Sequence, residues 1–273
     1  MYKQILIPIC ITLLLFFGCT KHGPLISEEE LIVVWAYLYA GEPVTSIKLT
    51  STVPLNADTT DAPPINNATI TLIKNGQHYD CEPSPGDSGY YHYSGDELTI
   101  ETGDEFMIEI EQNDQFVTAQ ITVPEAPSNV NISSSEMTLP DFENRESLWE
   151  WRESENREVT ITWDNEENAF YYVTLKNVEE NPVAINSWKP ERLRQFVFPP
   201  ISDNSYRIRM PSITHLGEHC ITVFKVNQEY VDLYESRNQD SRDLNEPLTN
   251  IENGLGVFSA LNGVSMCFTV IQG

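Results

Sequence analysis

Ala68-Thr-Ile-Thr-Leu-Ile73, followed by Asn75-Gly76 and then Gln77-His-Tyr-Asp-Cys81, is the stretch whose reading decides the fold. Ala68, Ile70 and Leu72 alternate with Thr69 and Thr71, which gives an extended chain one apolar face, because successive strand side chains point to opposite sides. Asn-Gly is the pair best able to take positive φ at both central positions of a type I′ turn, so residues 77–81 are expected to pair back on 68–73.

Outward from this hairpin, residues 31–39, 45–52, 89–93, 105–111 and 115–123 are rich in β-branched and aromatic residues and bounded by Gly, Pro, Asn or Asp, the signature of strands. Gly103-Asp104 and Asn113-Asp114 supply turns. Residues 54–67, polar and rich in Asp, Asn and Pro, form a surface loop. Seven short strands at this spacing predict a β-sandwich over 31–123.

Pro124-Glu-Ala-Pro127 interrupts any strand and marks a linker over 124–128. Strand patterns resume at 130–134, 158–163, 170–175, 206–210 and 220–226, and the chain ends in one at 265–271. Between them, Tyr230, Val231, Leu233 and Tyr234 recur at helical spacing, which predicts a short amphipathic helix within 227–239. The expectation is a mainly β chain of two β-sandwich domains, the second over 129–273 with an inserted helix and a Gly-rich loop.

Two resemblances sharpen this. Asn67-Ala-Thr-Ile-Thr-Leu, Asn75-Gly76, Gly89-Tyr90-Tyr91, Thr102-Gly103-Asp104 and Val123-Pro124 resemble the prealbumin-like sandwich of bacterial surface proteins. The Trp and Tyr placement in Glu158-Val-Thr-Ile-Thr-Trp163 and Phe170-Tyr-Tyr-Val-Thr-Leu175 resembles a fibronectin type III-like sandwich.

The N-terminus reads as an address. Lys3 precedes an almost wholly apolar run over 5–17, interrupted by Pro8 and too short to span a bilayer as a helix, and Gly18-Cys19 follows. Leu15-Phe16-Phe17-Gly18-Cys19 resembles a bacterial lipobox, although Phe16 and Phe17 stand where Leu and a small residue are usual. The resemblance implies that residues 1–18 are a signal peptide, that Cys19 carries lipid, and that 19–30 form a tether. Each buried CH₂ of such a lipid contributes about 0.8 kcal/mol, so two or three acyl chains hold a domain on a membrane.

With 16 basic and 41 acidic residues the chain carries −25. Removing residues 1–18 takes away only Lys3, leaving 15 basic residues and −26. A polyanion without a basic stripe repels nucleic acid, which is excluded as a partner. The cysteines after Cys19 are Cys81, Cys220 and Cys267, widely spaced and without a C-x-x-C. That pattern fits neither a zinc ribbon nor a dense disulfide scaffold. It allows one bridge at most, for which Cys220 with Cys267 is the pair to test.

Asn250-Ile-Glu-Asn-Gly-Leu-Gly-Val-Phe258 is the most distinctive tract. It resembles the Asn-Ile-x-x-Gly-Leu-Gly-x-Phe segment of an uncharacterised family of Bacteroidota lipoproteins carrying a "domain of unknown function". The likeness extends through the lipobox, the opening 31–35 strand and the order of the two sandwiches. It implies an outer-membrane lipoprotein, often encoded beside a SusC-type TonB-dependent transporter, with no established reaction and no catalytic residues to carry over.

The chemistry the sequence offers is thin. His215 and His219 are four apart, but Leu216-Gly217 follows the first histidine and breaks the helix that an H-E-x-x-H zinc site needs. No D-x-D-x-D-G calcium loop stands at 58–61, and carboxylates are too numerous for any one pair to signify a glycosidase. No metal, cofactor or catalytic residue is therefore expected. Trp149 and Trp151 lie in a long connection where exposed rings could stack on a sugar or a partner; the plainer and preferred reading is that they share one strand face and fill the core.

The leading expectation is a non-enzymatic accessory lipoprotein of the outer membrane, binding a ligand or a TonB-dependent transporter. The residues proposed for contact are Trp149, Trp151, Asn250, Gly254, Leu255, Gly256 and Phe258, with Leu255 and Phe258 set against the second sandwich and one edge left for a partner. The alternatives are a carboxylate- or metal-dependent hydrolase near His215 and His219, and a structural or adhesive module.

Overall fold

The computed structural model describes residues 30–53, 61–140, 151, 153–165, 169–185, 194–236 and 249–273. The deciding hairpin forms as its sequence requires. Asn75 and Gly76 have φ of 53° and 76°, and β3 (Thr69–Lys74) pairs antiparallel with β4 (Gln77–Pro83), Ile70 opposite Cys81. Asn113 and Asp114, at 48° and 63°, turn β6 (Glu105–Gln112) into β7 (Gln115–Thr122) in the same way.

These four strands form one layer, in the order β4-β3-β6-β7. The other contains β1 (Ile32–Tyr39), β2 (Ser46–Ser51) and β5 (Tyr90–His92). β4 turns the corner between them: Gln77 to Cys81 face β3, whereas Glu82 and Pro83 face β5. Ile32, Val34, Ala36 and Leu38 point inward at every second position of β1 and meet Leu72, Tyr91, Phe106 and Ile108 in the first core.

The second sandwich sets β8 (Asn131–Ile132), β10 (Val159–Thr162) and β13 (Ser205–Ile208) in the order β13-β10-β8. Its facing layer is β12 (Gln195–Val197), β11 (Phe170–Asn177), β14 (Gly217–Val226) and the second half of β15 (Leu255–Gln272). This three-on-four arrangement is a fibronectin type III-like sandwich. Trp163 is buried beside Tyr171, ring centroids 5.2 Å apart, within a core that includes Val173, Ile221 and Phe268. Two short strands escaped the sequence reading: β12, and β9 (Glu136–Leu139), which runs parallel to the end of β15.

The largest departure from expectation is β15. A strand was expected over 265–271, but β15 begins at Leu255 and runs 18 residues, about 60 Å at the rise of a strand. From Val33↔Leu255 to Tyr39↔Leu261 it lies parallel to β1; from Leu261 to Val270 it lies antiparallel to β14. One strand thus serves both sandwiches, and residues 255–261 belong to the first. The assignment of all of 129–273 to the second sandwich does not hold for them.

The expected helix forms as Gln228–Ser236 and lies on the sheet where the sandwiches join. Val231 and Leu233 are buried, and the helix brings Tyr230 edge-on to Tyr37 and Tyr172, with centroids 6.0 and 5.4 Å away. This second layer explains why Val257 to Asn262 are buried on both faces of β15. Nearby, Asn262 donates through Nδ2 to the Pro124 carbonyl and Thr102 Oγ1, both at 2.9 Å, so the linker is fastened to the shared strand. Cys220 and Cys267, opposite each other in the β14–β15 register, form a disulfide with Cα atoms 4.1 Å apart. Cys81 is a free buried thiol, pushed up to about 12 chiefly by burial.

Candidate functional site

The Asn250–Phe258 tract is put to internal use. Asn250 Nδ2 donates to the Phe258 carbonyl at 2.7 Å and Oδ1 accepts from the Phe258 N–H at 3.0 Å, so one side-chain amide substitutes for a neighbouring strand. Thr249 Oγ1 donates to Gly256 O at 2.8 Å and accepts from the Ile251 N–H at 3.1 Å. Next, Glu252 exchanges both backbone bonds with Thr118 of β7, at 2.8 and 3.3 Å, and Asn253 Nδ2 donates to Phe116 O at 3.3 Å. The tract therefore pairs with β7's outer edge at Phe116 and Thr118, where unpaired backbone would template association.

Its glycines have a steric reason. Gly256 has φ of +104°, and a Cβ there would fall 1.9 Å from Val34 O, so only glycine lets β15 approach β1 in that conformation. At Gly254 a Cβ would sit 3.0 Å from Ile32 O and from Ile251 Cγ2, a tight fit without positive φ. Phe258 is wholly buried in the first core and Leu255 is half-buried opposite Val33. One expectation is corrected here: Leu255 and Phe258 lie in the first sandwich, because β15 starts early and runs beside β1.

Trp151 is helical, half-buried, and donates through Nε1 to Thr138 O at 2.7 Å. The expectation that it shares a strand face with Trp149 is corrected; the indole N–H selects a position where it reaches a carbonyl. Trp149 and Cys19 lie outside the described residues.

The polar grouping of most chemical interest sits at the opposite end of β15. His215 and His219 are both buried, as is Asn177 at the end of β11. His219 shares a hydrogen bond through Nδ1 with Gly217 O at 3.0 Å, lies 3.4 Å through Nε2 from Asn177 Nδ2, and stacks on Phe268. Because the Gly217 carbonyl can only accept, Nδ1 carries the proton and Nε2 accepts. Asn177 Nδ2 also donates to Leu216 O at 3.2 Å, while its Oδ1 accepts from the Arg194 guanidinium at 3.2 Å. Arg194 donates further to the Asn177 and Glu179 carbonyls. Glu179 Oε1 accepts from the Glu218 N–H at 2.8 Å, and its side chain fills the space beside Gly217, whose φ is +92°.

Burial holds both histidines below the usual imidazole range. For His219 the Gly217 hydrogen bond and the Glu179 carboxylate oppose burial, and His215 reinforces it; for His215 the Arg194 charge adds to burial. Among the described residues no three His, Cys, Asp or Glu side chains are grouped to hold a metal ion. Sequence reading found the two histidines but missed Asn177, Glu179 and Arg194. No local pattern links them, since the strand register alone brings Asn177 opposite His219.

The family described as Domain of unknown function (DUF4249) matches residues 23–265, which takes in both sandwiches and most of β15. The chain belongs to this family. No curated protein matches it. Similar solved structures include the FN1–FN3 domains of chicken CNTN1, at 13% identity and TM-score 0.21, covering 88% of this chain and 65% of that one. Domains A168–A170 from titin match at 11% identity and TM-score 0.23, covering 89% of this chain and 66% of that one. The chain thus spans a little under two thirds of the solved chains it matches.

Proposed function

We propose that this chain is a non-enzymatic lipoprotein of the bacterial outer membrane, anchored through Cys19, that binds a ligand or serves as an accessory partner of a TonB-dependent transporter. The observation that carries the reading is the disposition of the two ends. Glu30, where a tether from Cys19 would join, stands beside Gln115, which donates through Nε2 to its carbonyl at 2.8 Å. β1 and the parallel half of β15 lead away from that point towards the second sandwich. An anchor at Cys19 would hold the first sandwich near the membrane and present the second, with its polar end, to a partner.

The Cys220–Cys267 bridge supports export. Cys267 is exposed, and a solvent-facing disulfide persists in oxidising compartments and not in a reducing cytosol. Two measurements test the reading. Wild type is expected to incorporate labelled palmitate and fractionate with outer membrane, and Cys19→Ala to do neither; a variant that still fractionates there, beside a wild type that takes no label, contradicts the anchor. Affinity isolation from native membranes is expected to bring down a TonB-dependent transporter, and repeated isolation without one removes the accessory role.

A further inference from the structure

The side-chain network at the far end of β15 gives one amide oxygen two claimants. Asn177 Oδ1 accepts from Arg194, and Asn177 Nδ2 donates to Leu216 O while facing His219 Nε2. Two independent partners thus fix the amide orientation: an arginine can only donate and a carbonyl can only accept. A neutral His219 fits this arrangement, because its Nε2 is an acceptor. A protonated His219 does not, because Nε2–H would then meet an NH₂ group.

We propose that Asn177 is a two-position relay through which protonation of His219 loosens Arg194 and the entry into β14 at Leu216. When His219 takes a proton on Nε2, it needs an acceptor where Asn177 now presents its NH₂ group, and the side-chain oxygen of the same amide supplies one when the amide turns over. Turning the amide satisfies the histidine, withdraws Oδ1 from Arg194 and withdraws the Nδ2 donor from Leu216 O. Arg194 keeps the Asn177 and Glu179 carbonyls, so its side chain shifts without detaching. The proton comes from solvent and no covalent bond changes.

The charged surroundings set the direction. His219 faces the Glu179 carboxylate beyond the end of β11 and the neighbouring His215, His215 faces the Arg194 guanidinium before β12, and β15 contributes the uncharged ring of Phe268. Burial is the dominant influence on both imidazoles and favours their neutral forms. A histidine whose affinity for protons is lower in the fold than in the unfolded chain contributes stability above its unfolded value, near 6.5, and loses it as pH falls towards the folded value. The relay therefore stands in its Arg194-bound position at neutral pH and turns on acidification.

The test is an NMR titration of the folded ectodomain, residues 20–273, following His219 ring protons, the Asn177 side-chain NH₂ pair and Arg194 Nε. In wild type the three are expected to move together, with a midpoint below that of an ordinary histidine. Arg194→Gln removes the competing claim on Oδ1 and is expected to shift the His219 midpoint upward and to uncouple Arg194's neighbours from it. Asn177→Asp, whose carboxylate can accept from both groups, is expected to raise the midpoint further. A simple charge effect of Arg194 would move the His219 midpoint but leave the Asn177 NH₂ signals constant through the titration. That result overturns the relay, as does a His219 titration unchanged by Arg194→Gln.

Discussion

The two halves of β15 share one backbone and differ in everything that covers it. From Val257 to Asn262 both faces are buried, the inner by Phe106 and Ile108 of the first core and the outer by the helix Gln228–Ser236. From Ser265 to Val270 burial alternates, with Phe268 and Val270 inward and Cys267 and Thr269 exposed. The first half is fixed by glycine geometry and by the Asn250 amide; the second is fixed by ordinary alternation and a disulfide. A strand's sequence signature thus depends on its number of buried faces, and only the one-faced half looks like a strand in isolation.

The comparison breaks most visibly at Phe258 and Phe268, one wholly buried in each core. Phe258→Ala and Phe268→Ala are each expected to cost about 3–5 kcal/mol in urea denaturation, and both to unfold the chain in a single transition because β15 belongs to both sandwiches. Two separate transitions would mean that the shared strand does not couple them. Gly256→Ala places a methyl against the Val34 backbone at positive φ, whereas Gly263→Ala meets side chains, the Phe224 ring and the Thr222 methyl, without positive φ. The first is expected to lose at least about 2 kcal/mol more than the second, and equal losses would deny that the first half is the constrained one.

The disulfide tests the second half alone. Cys220 and Cys267 are 47 residues apart, and the paired substitution to Ser is expected to lower stability by about 2–4 kcal/mol. Asn250→Ala strips the Phe258 N–H and carbonyl of their side-chain partner and is expected to cost about 2 kcal/mol. Ser259 offers the smallest effect: its hydroxyl is fully buried under the helix with no hydrogen-bond partner among the described residues. Ser259→Ala is expected to be neutral or to stabilise by up to about 1 kcal/mol.

What could be read from sequence follows the same division. The Asn75-Gly76 hairpin, the Trp163 and Tyr171 core and the helix near Tyr230 were legible because each is specified by neighbours within a few residues. The start of β15 was not. Gly254 and Gly256 look like a loop, and nothing local reveals that Val34 O crowds the second of them. Trp151 misled for a related reason, since its indole is placed by Thr138 O, thirteen residues away. The far-end network was half legible: the spacing of His215 and His219 was visible, but Asn177 reaches His219 across 42 residues and Arg194 reaches Asn177 across 17.

The central claim is that the Asn250–Phe258 tract and the first half of β15 are part of the first sandwich. Hydrogen exchange by mass spectrometry on wild type and Gly256→Ala tests it most directly. The amides of Val257 to Leu261 are expected to exchange as slowly as those of β1 in wild type, and Gly256→Ala to speed exchange in β1 and β7 before β11 and β14. Rapid exchange over 255–261 in the wild-type chain, or a variant that loosens only β11 and β14, would contradict the account.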